Sequence, residues 1–457
     1  MNLTKIGRLV SDLARVNRSY LADSDYRNVA RERLAPTSSP NRAVERREIA
    51  AAPPEARPFH GLSETSLALA GIHSTGNGNA SSSSSSSSSS KGASTSPALN
   101  IVIGEVRDGA TFAGIQTAVS FGVALAEALG LPVRVVMVGW TTPGNSSAAA
   151  TEVLRERFPG KRITVVAREE ISKADFSDSD LWLATHWKTA HAISVAVTAG
   201  RIDPQRVVYL VQDYEPGFSP WSTEFALARA TYHAEFRMVV NSSPLQTYLR
   251  QEEGLEIPDD LVFAPHLDLD LLRRVAAERS HDDVVRVLFY GRPNKHRNLF
   301  RVGIAALRIA VRELEGSGIA VEFASAGELH RDVELGGDAK LESVGTLPWD
   351  DYFRFIASRN VVLSLQLSPH PSHPPFDGAI SGAHVVTNEF AGTRAGVHPG
   401  IDAVAADPEA LGQAVARAIR RAAADGPAGF RDLEPGALGG TLDQVVARLA
   451  TLLGGAR

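Results

Sequence analysis

The sequence predicts an α/β protein built from two parallel-sheet domains in series. Three observations carry that prediction: short β-branched apolar runs recur along the chain, helical patterns separate them, and the whole alternation restarts near Val285. In order, 100–103, 133–138, 163–166, 181–184, 207–211 and 238–240 are too uniformly apolar for a half-solvated sheet, which predicts parallel strands covered on both faces. Between the first two, 115–129 has helical spacing, is stopped by Gly130 and Pro132, and is apolar nearly all round, so it calls for cover on several sides. The second series places strands at 285–290, 321–325, 361–367 and 384–387, with a helix over 299–314 capped by Asn298. The expected division is a first Rossmann-like domain over 99–280 and a second over 281–457, joined between about 263 and 284, with the last helix free to return to the first domain. Ligands of such sheets bind beyond the carboxyl ends of the strands, which points to the cleft between the domains.

Residues 1–98 form an extension of different composition. Ten serines, 81–90, sit in a Gly, Asn, Thr and Ser tract that buries too little apolar surface to offset its backbone entropy, so about 75–97 is expected to be a disordered tether. Ahead of it, Leu3, Ile6, Val10 and Leu13 repeat at helical spacing beside Lys5, Arg8 and Arg15. That basic amphipathic pattern suits either the surface of an anionic membrane or packing on the protein itself. Residues 1–60 carry 11 Lys and Arg against 7 Asp and Glu and 61–98 balance, so of the net charge of −5 the remainder holds −9. An acidic folded part without a long basic stripe disfavours nucleic acid as a partner. No cysteine is present, which excludes disulfides, thiolate chemistry and Cys-ligated metals. The most apolar stretch, 110–140, is interrupted by Gln116, Glu127 and Arg134, so it does not suit a bilayer span, and the N-terminus lacks the apolar region of a secretory signal. A cytoplasmic protein, peripheral at the inner face of the membrane if the first helix binds there, is expected.

Four segments at predicted strand ends carry candidate chemistry. In F-Y-G-R-P-N-K-H-R-N-L-F, 289–300, Arg292, Lys295 and Arg297 crowd a turn after a strand, and Gly291 lets backbone approach a ligand. Such fixed positive charge suits a diphosphate, whose charge grows as it departs. In S-P-H-P-S-H-P-P-F-D-G-A-I-S-G-A, 368–383, prolines fix an irregular loop with Ser368 and His370, and Asp377 is placed to accept ribose hydroxyls. His370 and His373, three apart in a proline-broken loop with no third ligand, make poor metal geometry. In V-Q-D-Y-E-P-G-F-S-P-W-S-T-E-F, 211–225, Asp213 and Glu215 with Tyr214, Phe218 and Trp221 combine carboxylates and flat rings, a surface that holds a sugar. Gly114 at the first helix start and His186 in T-H-W-K, 185–188, complete the strand-end set. Asp268 and Asp270 imitate a metal-binding D-x-D but suit the cap of a helix starting near Leu271. There is no G-x-G-x-x-G, so a nicotinamide-dependent enzyme loses its main signature.

With A-G-I-Q-T-A at 113–118, Q-D-Y-E-P-G-F at 212–218, F-Y-G-R-P at 289–293, and S-P-H-P with P-P-F-D-G-A at 368–379, residues 99–430 resemble GT-B fold glycosyltransferases of family 4, and more narrowly the WsaF-type rhamnosyltransferases of bacterial surface glycan synthesis. The resemblance implies metal-independent, cofactor-free transfer of rhamnose from dTDP-rhamnose to a growing or lipid-linked glycan, with retained configuration, donor in the second domain and acceptor in the first. Carried over by position, Arg292 holds the diphosphate, Lys295 or Arg297 takes the second cationic role, and Asp377 stands where the family uses a ribose-binding glutamate. The first glutamate of the family pair is replaced by Pro369, so the donor sugar must be read elsewhere, for example around Ser368 and His370. Asp213 is the candidate for orienting or deprotonating the acceptor hydroxyl. Two other classes suit the same architecture: a nucleotide-sugar epimerase, which needs no acceptor, and a non-catalytic nucleotide-sugar binding or scaffold protein.

Overall fold

The computed structural model describes residues 62–72, 96–106, 113–139 and 146–455. The amphipathic N-terminal helix and the serine tether as far as residue 95 lie outside the described residues. Residues 62–72 of the N-terminal extension pack on the first domain. Helix α1 (Leu62–Leu67) leads into Leu69 and Ile72, both buried in the first core, because two large aliphatic side chains gain more by burial than their short segment loses in entropy.

Seven parallel strands form the first sheet: β1 (Leu99–Ile103), β2 (Val133–Met137), β3 (Ile163–Val166), β4 (Leu181–Ala184), β5 (Val207–Val211), β6 (Arg237–Asn241) and β7 (Val262–Phe263). Helices α2 (Ala113–Leu129), α3 (Ser147–Arg157), α4 (Trp187–Thr198), α5 (Thr223–Tyr232) and α6 (Ser243–Glu253) connect them. The order β3-β2-β1-β4-β5-β6-β7 reverses direction between β1 and β4, which opens a crevice at their carboxyl ends. Helix α7 (Leu269–Glu278) begins the crossing to the second sheet, and Asp268 caps it by accepting the Leu271 N–H at 2.9 Å, as the capping reading expected, while Asp270 lies inside the helix and pairs with Arg273.

The second sheet contains β8 (Val284–Gly291), β9 (Ala320–Gly327), β10 (Val333–Gly336), β11 (Ala339–Gly345), β12 (Val361–Leu363), β13 (His384–Asn388) and β14 (Ile401–Val404), in the order β10-β11-β9-β8-β12-β13-β14. Only the β10–β11 hairpin is antiparallel, and direction reverses between β8 and β12. Helices α8 (Phe300–Glu313), α9 (Trp349–Ala357), α10 (Pro374–Ile380) and α11 (Pro408–Asp425) cover it. Along β8, Val285, Val287 and Phe289 enter one core while Leu288 enters the other, the period-2 alternation of a strand between two layers. Each such fully buried aliphatic contributes roughly 1.5–3 kcal/mol. The last helix, α12 (Leu442–Gly454), places Val445, Val446 and Leu449 in the first core against α2, which supplies the extra cover that an all-round apolar α2 demanded.

Two sequence expectations fail locally. Strand β12 stops at Leu363 instead of running to 367, because the carbonyls of Gln366 and Ser368 are taken by the Arg394 guanidinium, both at 2.7 Å, rather than by a neighbouring strand. Asn298 does not cap the following helix. It lies in a 3₁₀ turn, His296–Asn298, Leu299 takes the cap position at φ 50°, and the Asn298 amide instead donates to the Leu365 carbonyl at 3.0 Å.

Candidate functional site

The two crevices face each other, and the loops that leave β5, β8 and β12 meet between them. After β5 the chain enters a 3₁₀ turn, Glu215–Phe218, fixed from beneath by a buried polar cluster. Glu215 accepts the Trp187 N–H at the start of α4 and the Tyr209 hydroxyl at 3.1 Å. Tyr232 accepts the Glu215 N–H and donates to the Asp213 carbonyl, both at 3.0 Å. This corrects the reading of Glu215 as a sugar contact. Glu215 is 3 % exposed and its carboxyl anchors the loop, and burial pushes its pKa up to about 8 against the lowering by its hydrogen bonds to Trp187 and Tyr209. Tyr214 is likewise held, donating to the buried Glu253 at 2.6 Å and lying edge-on to Tyr248; burial, then that hydrogen bond, raises its pKa.

With its neighbours fixed, Asp213 reaches across the cleft. Its Oδ1 accepts the Tyr214 N–H at 2.9 Å and the Ser368 hydroxyl, and its Oδ2 pairs with Arg297 Nη1 at 2.9 Å. The Arg297 guanidinium lies 4.2 Å from the Phe218 ring centroid, so a cation from the second half of the chain rests on both an acidic and an aromatic partner from the first. His186 caps α4, its Nδ1 accepting the Lys188 N–H at 3.2 Å, and its ring stacks on Phe218 with centroids 6.1 Å apart. Burial, then Lys188 and Arg297, lower its pKa to about 3, so the ring is neutral near pH 7 and its other nitrogen carries the proton. Gly114, at the start of α2, accepts through its carbonyl from the Gln212 amide at 3.0 Å, which ties the β1 side of the crevice to the residue before Asp213.

The cationic turn is less of a cluster than its sequence implies. Arg297 leaves toward Asp213, Lys295 lies exposed, and Arg292 Nε sits 3.6 Å from Glu328 Oε1 at the end of β9. Glu328 also accepts the Asn294 N–H at 2.9 Å, so it fixes the turn and half-neutralises Arg292. Gly291 is also required by packing. A Cβ there would run into Ser325 Oγ and the Phe300 ring, so the glycine serves packing between β9 and α8. The turn and the β12 loop are laced by the Asn298 bond to Leu365 and by Leu367 N–H donating to the Arg297 carbonyl at 2.7 Å.

In the β12 loop, the His370 N–H donates to Ser368 Oγ at 3.1 Å, and His370 Nδ1 accepts the Ser372 N–H at 3.2 Å. Burial lowers the pKa of His370, and burial with the neighbouring His370 and His266 takes His373 to about 4. Asp377 in α10 is 6 % exposed and accepts the Tyr352 hydroxyl at 3.1 Å; burial pushes its pKa up to about 7, against the lowering by that bond. Among the described residues, no three His, Asp or Glu side chains form a metal-ligand set. Sequence reasoning missed Arg394, 3 % exposed, which holds the whole loop: besides the two carbonyls above it donates to Asn388 O at 2.6 Å. It missed Glu328 and Glu253 as well. Nothing local distinguishes those side chains from surface charge.

Two parallel-sheet domains whose direction-reversal points face one another across a cleft constitute the GT-B architecture of glycosyltransferases. The chain belongs to the WsaF family: the model of the WsaF N-terminal domain matches residues 98–243 and that of the WsaF C-terminal domain residues 285–416. It is 33% identical over 233 residues to the O-antigen biosynthesis protein RfbC of Myxococcus xanthus, covering 51% of this chain and 17% of that protein, so it spans under a fifth of that relative. Similar solved structures include HepE of Anabaena in complex with UDP and glucose, at TM-score 0.46, and sucrose-phosphate synthase of Thermosynechococcus elongatus, at TM-score 0.45. Each is 14% identical and covers 78% of this chain and 95% of its own.

Proposed function

We propose that the protein is a glycosyltransferase that moves a sugar from a nucleoside diphosphate donor to a glycan hydroxyl. The observation that carries this reading is the meeting of Asp213 from the first sheet with Arg297 and Ser368 from the second, Arg297 sharing with Arg292 the turn that follows β8. Family membership and the O-antigen biosynthesis named for RfbC support a surface-glycan acceptor. The finer reading takes rhamnose from dTDP-rhamnose, transferred without metal or other cofactor and with retention.

In that reading the bond from the sugar anomeric carbon to the β-phosphate oxygen breaks, and a bond from that carbon to the acceptor oxygen forms. Arg292, with Arg297 or Lys295, stabilises the growing charge on the departing diphosphate. Arg292 pairs with Glu328 and Arg297 with Asp213, and in this reading the diphosphate takes the place of each carboxylate. Releasing Asp213 from Arg297 frees the one carboxylate placed to orient the acceptor hydroxyl, whose proton passes either to Asp213 or to the leaving phosphate oxygen. Neutral His186 offers an N–H to a sugar hydroxyl, Ser368 and the His370 backbone offer further polar contacts, Tyr214 and Gly114 shape the acceptor side, and Asp377 takes the ribose. A thermal-shift panel of dTDP, UDP and GDP and their sugars, followed by transfer to glycan acceptors, tests the reading. A ligand at 100 times its Kd stabilises by about 2.7 kcal/mol. Stabilisation by a nucleoside diphosphate with acceptor-dependent release of that diphosphate is expected. Donor isomerised without acceptor marks an epimerase, and binding without turnover marks a scaffold.

A further inference from the structure

The segment that carries Asp213 continues outward into a feature the reaction does not use. Trp221 is 96 % exposed, the most exposed of the large apolar side chains among the described residues. Its backbone sits at φ 54°, in the left-handed region that bulky residues rarely adopt. Its ring lies nearly parallel to that of half-buried Phe225, 17° between planes and 6.2 Å between centroids. The loop beneath is constrained: Pro216 and Pro220 restrict its backbone, and Ser222 donates to the Ser219 carbonyl at 2.6 Å and caps α5 by accepting the Phe225 N–H at 3.1 Å. A free loop relaxes such backbone and folds an indole onto the surface. This one is built to hold a flat apolar face out in water, three residues beyond the Phe218 ring that supports Arg297.

We infer that Trp221, backed by Phe225, is a stacking platform for a sugar ring of the acceptor glycan, one or more residues away from the reacting hydroxyl. The inference rests on the proposed transferase reading and names its acceptor subsite. The C–H face of a pyranose is flat and apolar and its rim is polar, so an exposed indole with polar backbone around it matches that chemistry. A membrane surface fits less well: between 216 and 226 the only charged residue is Glu224, where an anionic bilayer would call for Lys or Arg.

The full chain, W221A and W221F are titrated with di- to tetrasaccharides of rhamnose, mannose, galactose and glucose, read by saturation-transfer NMR and tryptophan emission. Parallel titrations use dTDP, UDP and GDP, and vesicles of phosphatidylglycerol. The expected result is at least one saccharide that loses tenfold or more in affinity with W221A, about threefold or less with W221F, and an emission change present in the native chain and absent from W221F. Nucleotide affinity stays within twofold in all three proteins. Saccharide binding indifferent to W221A, no saccharide binding by a chain that binds nucleotide, or W221A-sensitive binding to vesicles alone each overturns the platform. Absence of nucleotide binding in the native chain, with saccharide binding still lost in W221A, overturns the transferase reading and leaves the platform standing.

Discussion

The loop after β5 and the turn after β8 both end in charged side chains at the cleft, yet they are held in opposite ways. The first is fastened within its own domain by Glu215, Tyr209, Tyr232 and Glu253, whose buried hydrogen bonds leave Asp213 one direction to point. The second is fastened by backbone and amide bonds to the β12 loop, while its cations rest on exchangeable carboxylates, Arg292 on Glu328 and Arg297 on Asp213. A buried hydrogen-bonded network fixes geometry, whereas in the proposed reading a half-exposed ion pair holds charge that an anionic ligand takes over. If the proposed transferase reading holds, the first loop is scaffold and the second exchanges ligands.

Breaking the comparison on its chemical side should have the largest effect. Asp213→Asn keeps the shape but removes the carboxylate, and acceptor-dependent turnover is expected to fall by about 100-fold or more, the scale of a positioned acid or base. Arg292→Ala should lower kcat by about 100-fold, ~3 kcal/mol of barrier, with Glu328 left unpaired beside the turn. Steady-state kinetics on each variant checks both; turnover like that of the native chain removes the residue from the reaction.

The scaffold side is sharpened by pH. Glu215 is raised from 4.5 to about 8 and Asp377 from 3.8 to about 7, both by burial, so in the folded protein each binds its proton more tightly than in the unfolded chain. Their contribution to stability is complete below pH 4 and is lost as pH rises toward 7 and 8. Glu215→Gln, which mimics the protonated carboxyl, should flatten the fall of Tm between pH 5 and 8.5; a melting curve series in which both proteins fall equally would contradict this. Smallest is Lys295→Ala. This exposed side chain should change diphosphate affinity by less than about threefold, and the change should shrink as salt is added, measured by calorimetry at two ionic strengths.

The same contrast governs what the sequence made legible. Central parallel strands announce themselves because burial on both faces demands continuous apolar runs, and 181–184 and 207–211 appear where those runs stand, while edge strand 163–166 is marked by its β-branched residues alone. The β10–β11 hairpin, with its Gly336-Gly337 turn, and two-residue β7 escaped because edge strands are short or half-polar and carry little periodicity. Residue types at strand ends singled out Asp213, Arg297 and Ser368, which the fold brings into contact because topology puts strand ends at the crevice. What local pattern does not encode is which carboxylate turns inward. Glu215, two residues from Asp213, faces the core, and Arg394 resembles any loop arginine until its carbonyl partners are seen, Asn388 at the end of β13 and Gln366 and Ser368 in the loop after β12.

The most direct test of the charge-exchange account is the affinity of one nucleoside diphosphate, the best binder from the thermal-shift panel, for the native chain, Arg297→Ala and Asp213→Asn by titration calorimetry. If Arg297 is handed from Asp213 to the incoming diphosphate, Arg297→Ala binds about tenfold more weakly and Asp213→Asn binds severalfold more tightly. Native affinity in Arg297→Ala, or weaker binding in Asp213→Asn, would mean that the ion pair across the cleft only holds the two halves together.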